Sequence, residues 1–467
     1  MKSRAGWSHN SSSRFGPIFR GATVVMALAA LAVCVGSAFA RTLITLVGST
    51  PGDTFGGAVA PAGDLNGDGF ADFIVGAYQC DAGGLDAGRA YVYYGGRPLD
   101  AKPDLYLTGE APGDLFGVSV ASAGDVNHDG FPDLIVGAHE NDAGGANAGR
   151  AYIYLGGPRA DSKPDFILTG EAAGDAFGYS VASAGDMNGD GNADVIVGAY
   201  ENSAKGSGAG RAYVFFGGPG MDNVPDLVLT GETAGDYFGI SVSSAGDVNG
   251  DKYGDVIVGA YQSDFGGIDA GRAYVFFGGP RPDDRPDLIL TGAAAGDAFG
   301  FSVASAGDVN KDGFGDMIVG AYHNDAGGAD AGRAYIYLGG PRPDARADLV
   351  LTGDAPGDAF GFSVAPAGDV NGDGFSDVIV GAYGNDAGGS AAGRAYVYFG
   401  GTVLDAVSDF TFTGEASLDN LGYAVSGALD FDGDGFGDIA VAAPFGDAGR
   451  VYLCSPVGGK QRPVAGR

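Results

Sequence analysis

The sequence predicts an all-β fold, a seven-bladed β-propeller of four-stranded blades. Three observations carry that expectation. An acidic motif, D-x-N-x-D-G-x-x-D, recurs with small variations seven times at a spacing of 61 residues, starting at Asp64, Asp125, Asp186, Asp247, Asp308, Asp369 and Asp430. Self-similarity at a fixed period marks a repeat architecture. Each unit holds four short apolar or alternating runs separated by glycines, and no stretch shows helical periodicity.

The unit from Asp104 to Gly157 shows the elements in order. Asp104-Leu-Tyr-Leu-Thr-Gly109 alternates and meets glycine, which reads as a short strand. Glu110 to Asp114 is a turn, and Phe116-Gly117 opens a second strand with period-two alternation. The acidic loop Asp125 to Asp133 follows. Leu134-Ile-Val-Gly-Ala138 is a continuous apolar run, the pattern of a strand buried on both faces. A loop from Glu140 to Gly149 leads to Arg150-Ala-Tyr-Ile-Tyr-Leu155, which Gly156-Gly157 ends. Four strands per unit, repeated around an axis, are the blades of a propeller.

The two ends complement each other. The last unit stops at Arg450-Val-Tyr-Leu453 and lacks the D-L-x-L-T-G strand. Thr42-Leu-Ile-Thr-Leu-Val-Gly48 lines up with that missing piece, one period before Gly109. The N-terminal strand is therefore expected to complete the last blade and close the ring, which removes open sheet edges. An open solenoid would leave each terminal unit with an incomplete sheet.

The formal net charge of −32 excludes nucleic acid and anionic membrane as partners, since both call for a basic surface. Residues 1–40 read as an export signal. Arg4, Arg14 and Arg20 precede an apolar run from Ala22 to Val35, and Ala38-Phe39-Ala40 forms a cleavage site. The run is short of the ~20 residues a membrane span needs. A secreted, periplasmic or cell-surface monomer without a membrane anchor is expected after cleavage, with the propeller over residues 41–455 and a disordered tail over 456–467. Cys80 and Cys454 would remain, too few for a disulfide framework, and are expected to be free thiols.

The acidic motifs have the chemistry of calcium loops. In the first, Asp64, Asn66, Asp68 and Asp72 stand at positions 1, 3, 5 and 9, and the Phe70 carbonyl at position 7 can face the same centre. The corresponding sets are Asp125, Asn127, Asp129, Phe131 and Asp133; Asp186, Asn188, Asp190, Asn192 and Asp194; Asp247, Asn249, Asp251, Tyr253 and Asp255. They continue with Asp308, Asn310, Asp312, Phe314 and Asp316; Asp369, Asn371, Asp373, Phe375 and Asp377; and Asp430, Asp432, Asp434, Phe436 and Asp438. Hard oxygen ligands in a flexible cage suit Ca2+, whereas Mg2+ asks for a stricter octahedron. No histidine or cysteine stands at a ligand position, which argues against zinc. An EF-hand would need a glutamate at position 12, where the first loop has Val75. Up to seven ions are expected. Lys252 replaces the position-6 glycine in the fourth loop and should make it the weakest site, while Asp432 adds charge to the seventh.

With these motifs in hand, the chain resembles the FG-GAP repeat proteins, the family of integrin alpha-subunit propellers and their bacterial relatives. Phe55-Gly56, Phe116-Gly117, Phe177-Gly178, Phe238-Gly239, Phe299-Gly300 and Phe360-Gly361 recur, each followed about 20 residues later by Gly-Ala-Tyr or Gly-Ala-His, with the acidic loop between. Leu421 replaces the phenylalanine in the last unit, and only that unit has proline, at Pro444, after its Ala443. The resemblance implies calcium in structural loops. It also implies ligand recognition on the opposite face, here loops 79–86, 140–147, 201–207, 262–269, 323–330 and 384–390. The expected function is a protein- or glycan-binding adhesion module with an extracellular ligand. Two alternatives are a glycan hydrolase or lyase on a propeller scaffold and a purely structural envelope protein. An enzyme would need a constellation unique to one unit. His139 and His323 fall on the recognition face and read as counterparts in two units, but no nucleophile motif accompanies them.

Overall fold

The computed structural model describes residues 40–456. It contains seven four-stranded antiparallel sheets and no helix among the described residues. In six sheets the strands follow chain order. The first blade runs Ala58–Gly63, Asp72–Ala77, Arg89–Tyr93 and Leu105–Thr108 from the inside outward. Innermost strands pack against one another from blade to blade, and Ala58–Gly63 also meets Ala424–Leu429 of the seventh, so the ring is closed.

The seventh blade is built from both ends of the chain. Its first three strands are Ala424–Leu429, Asp438–Ala443 and Arg450–Pro456, and the outermost is Ala40–Val47. The pairing is antiparallel, with Leu46 opposite Val451 and Ile44 opposite Leu453. The expected completion by the N-terminal strand is what the structure shows. The expected export signal and tail lie outside the described residues, apart from Ala40 and Pro456, which pair with each other.

The apolar core is divided into layers between neighbouring blades. One layer joins Ile74, Val92 and Leu107 of the first blade to Phe116, Leu134, Val136 and Tyr152 of the second. The second strand of every blade, such as Asp72–Ala77, is buried at all six positions. The Phe-Gly and Gly-Ala dipeptides are where blades touch. The phenylalanine ring is buried between sheets, and a Cβ on Gly76 would collide with the carbonyl oxygen of Gly117 in the next blade. Gly117 has φ +87°, a conformation that favours glycine.

Leu46 has no exposed area and lies in the layer that joins the seventh blade to the first, with Phe55, Val75, Val451 and Leu453. Leu46→Ala should therefore cost about 2–5 kcal/mol of stability. Urea denaturation of the variant, with an unchanged slope and a lower midpoint, is the measurement that checks this.

Candidate functional site

Each acidic loop joins the innermost strand of a blade to its second strand, at one end of the ring. The loop is folded by its own side chains. Asp64 accepts hydrogen bonds from the backbone N–H groups of Asp68 and Gly69, both at 2.9 Å. Asn66 Oδ1 accepts from Asp68 N–H at 2.8 Å, and Asp68 Oδ1 accepts from Phe70 N–H at 3.0 Å. Position 9 is different. Asp72 is fully buried, with Leu65 N–H donating to one oxygen and Gly95 N–H to the other, each at 2.8 Å. It ties its loop to the turn after the third strand. Burial pushes this carboxyl up to about 7 despite the two donors, and the nearby Asp68 and Asp64 add to the rise. Its counterparts Asp133, Asp194, Asp255 and Asp438 also reach about 7, Asp316 about 6 and Asp377 about 8, burial being the largest cause in each.

The donor set fits a hard cation. Every side chain in it offers oxygen, and each carboxylate oxygen that accepts one N–H keeps a lone pair. Among the described residues, Asp430, Asp432 and Asp434 are the one group of three acidic, histidine or cysteine side chains whose ligand atoms lie within 4.8 Å of one another. Beside them Asp438 Oδ1 is buried without a hydrogen-bond partner. In the other loops that oxygen takes the N–H of the sixth residue after the arginine that opens the third strand, as at Gly95, Gly156 and Gly217; counted from Arg450 that place is held by Pro456, which has no N–H. Arg97 from the first blade also reaches this loop. Its Nε donates to the Asp432 carbonyl, and its guanidinium lies 4.0 Å from the Asp432 carboxylate. Sequence reasoning missed this cation. In the fourth loop Lys252 has φ +75°. The equivalent Gly69 has no atom within 4 Å of an added Cβ, so the lysine meets backbone strain rather than a clash.

The loops at the other end of the blades are less free than their polar composition implies. Asn141 is buried, donates to the buried Asp114 at 2.9 Å and to the Tyr152 hydroxyl at 3.4 Å, and accepts from Ala143 N–H at 3.0 Å. Asn202 and Asn385 repeat all three bonds in the third and sixth blades. In the first blade the asparagine is replaced by Cys80, a buried free thiol 3.8 Å from the Tyr91 hydroxyl. In the fourth it is Ser263, whose buried hydroxyl has no partner. There Asp236 lacks the amide donor, and burial carries it up to about 6. Cys454 is likewise buried and in no disulfide.

Around the axis, this second face holds a run of touching aromatic rings. It passes from His139 through Tyr179, Tyr200, Tyr237, Tyr261 and Phe301 to Phe362, Tyr423 and Phe445, with centroids 4.6 to 5.8 Å apart. Most of these rings are half-buried, and Phe445 is exposed. The two histidines are not counterparts. Three repeats on from His139 stands Tyr322, not His323. His139 sits edge-on to Tyr179 at 5.2 Å, and burial pushes it down to about 4, so it is neutral. His323 is exposed and pairs with Asp330 at 2.7 Å. Leu85, Phe265 and Ile268 project from the loop tips, each at least 60% exposed.

A closed ring of antiparallel blades, with an acidic hairpin loop at one end of each and aromatic side chains at the other, defines a repeat-built β-propeller. Seven segments, 55–93, 116–154, 177–215, 238–276, 299–337, 360–398 and 421–454, match the FG-GAP repeat, and the chain belongs to that family. It is 33% identical to integrin alpha-5 of Xenopus laevis over 234 residues, 48% of this chain and 21% of that protein. It is 39% identical to integrin alpha-IIb of Mus musculus over 169 residues, 33% of this chain and 16% of that protein. With integrin alpha-PS2 of Drosophila melanogaster the identity is 33% over 227 residues, 45% and 16% of the two chains. The matched region thus spans about a fifth or less of these relatives.

Two outcomes follow from the site. A carboxyl raised from 3.8 toward 7 holds its proton longer in the folded than in the unfolded chain, so stability falls as pH rises between those values. The chelator-treated protein should therefore be less stable in urea at pH 8 than at pH 5. Separately, Ser263→Asn should restore the missing amide beside Asp236. A gain of about 1 kcal/mol is expected, read as a higher urea midpoint.

Proposed function

We propose that this chain is an exported, calcium-stabilised propeller that binds an extracellular protein or glycan through the face opposite its acidic loops. The observation that carries the reading is the difference between the two faces. The acidic loops repeat almost unchanged around the ring. The opposite face carries unit-specific aromatic side chains at its strand ends and apolar side chains on the loops of the first and fourth blades, and buried asparagines preorganise the loops of the second, third, fifth and sixth blades. Relatives named as integrin alpha chains agree with an adhesion role.

In this reading, residues at positions 1, 3, 5 and 9 of each loop, with the position-7 carbonyl, would hold Ca2+. A bound ion would neutralise the clustered carboxylates and fix the hairpin between the first two strands. The buried position-9 carboxylate gives up its proton to do so, and the fourth loop, with Lys252, is the weakest. Among the described residues, His139 packs edge-on against Tyr179 and His323 pairs with Asp330, and neither histidine is hydrogen-bonded to a hydroxyl or thiol, which supports a binding role over a histidine-activated nucleophile.

Calorimetry with and without chelator tests the calcium part. A site at calcium 100-fold above its dissociation constant adds about 2.7 kcal/mol, so the melting temperature should fall by many degrees on chelation. An unchanged melting temperature with no bound calcium would sink it. An array of glycans and matrix proteins, probed at millimolar calcium with the natural chain and a Phe265→Ser, Ile268→Ser variant, tests recognition. Turnover of a polysaccharide without stable binding would favour the enzyme instead.

A further inference from the structure

The acidic loops are bonded to one another around the ring. At six of the seven junctions the backbone N–H at position 8 of one loop donates to the carbonyl of the position-1 aspartate in the loop before it. The pairs are Ala193 to Asp125 at 3.0 Å, Gly254 to Asp186 and Gly315 to Asp247 at 2.8 Å, and Ser376 to Asp308 and Gly437 to Asp369 at 3.0 Å. Across the seam, Ala71 donates to Asp430 at 3.3 Å. The seventh junction cannot form this bond. Position 8 of the second loop is Pro132, which has no N–H, and its ring lies against Gly63 of the first blade.

Position 8 immediately precedes the buried position-9 aspartate. One hydrogen bond therefore separates a ligand residue of one loop from a ligand residue of the next. Side chains reinforce the link. The position-7 rings of Phe131, Tyr253 and Phe314 lie on Gly67, Gly189 and Gly250 of the preceding loops, where a Cβ would strike them. In the third loop position 7 is Asn192, and there His128 reaches over from the second loop, with Nδ1 2.8 Å from the Gly191 carbonyl.

We propose that the loops take up cations as a coupled belt rather than as independent sites, and that the belt is weakest between the first and second loops. The inference rests on reading the loops as cation sites. A cation that fixes Asp125 also fixes its carbonyl, and with it Ala193 N–H and the adjoining Asp194. The next loop then has less freedom to lose when it binds, which is positive coupling. By linkage the effect is the same in both directions. At the Pro132 junction the position-8 bond of this relay is missing, and what remains is the Phe131 ring on Gly67 and the Gly157 N–H donating to the Leu65 carbonyl at 2.7 Å.

The test is hydrogen exchange of the full chain as calcium is titrated, followed separately over residues 125–133 and 186–194. Loop 2 is disabled by Asp125→Asn with Asp129→Asn, which removes charge but keeps oxygen acceptors, and loop 1 by Asp64→Asn with Asp68→Asn. Disabling loop 2 should raise the calcium midpoint of loop 3 about fivefold. Disabling loop 1 should move the midpoint of loop 2 by less than about twofold. Ala193→Pro should abolish the first effect, and Pro132→Ala, which supplies the absent donor, should enlarge the second. Equal midpoints with and without the neighbouring loop would overturn the coupling while leaving calcium binding intact. If no loop gained protection with calcium, the cation reading itself would fall and take the belt with it.

Discussion

Each blade depends on one buried carboxylate, the aspartate that opens its second strand. Asp72 has no exposed area, and it keeps a charge-bearing group inside by taking N–H donors from both directions. A buried polar group without such partners would cost several times what a made bond contributes. That requirement propagates. Gly95 must bring its N–H close to the carboxylate, and a Cβ there would collide with the Ala71 carbonyl, so the Gly-Gly turn after the third strand is dictated by the aspartate. The same residue closes the acidic hairpin, because its other oxygen holds Leu65 N–H. Loop, strand and turn are one unit around it.

The parts of the fold legible in the sequence are those written locally and then repeated. Apolar second strands, Phe-Gly and Gly-Ala dipeptides and the acidic motif each identify themselves within a few residues, and the period assigns their number. The closing strand was legible because Thr42 to Gly48 keeps phase with the outer strands. What escaped notice is written across longer distances. Asp114 and Asn141 are 27 residues apart, and Asn141 stands in a glycine-rich stretch that looks solvated. The signal was present, since Asn202, Asn324 and Asn385 keep the same register beside Asp175, Asp297 and Asp358. Arg97 and Asp432 meet only because the ring closes.

The aromatic face was hidden for another reason. The residue after each Phe-Gly changes from Val118 to Tyr179, Ile240, Phe301 and Phe362, so a repeat-minded reading takes it as drift. In space these positions converge with the ends of the second strands. Glycine contacts between blades hold the frame, and these varied side chains sit at strand ends. That face can then differ from blade to blade without disturbing the layers beneath it.

The pairing of Leu46 with Val451 also has a kinetic meaning. Contacts within a blade join residues a few tens of positions apart, and each can form while much of the chain is still open. The seam joins positions about four hundred apart. Its closure entropy is not prohibitive, since that grows only with the logarithm of the loop, but such remote pairings are slow to find. Until they form, Arg450–Pro456 is an unpaired strand edge, open to another chain's strand. The seam is thus the pairing that shields this edge from another chain's strand.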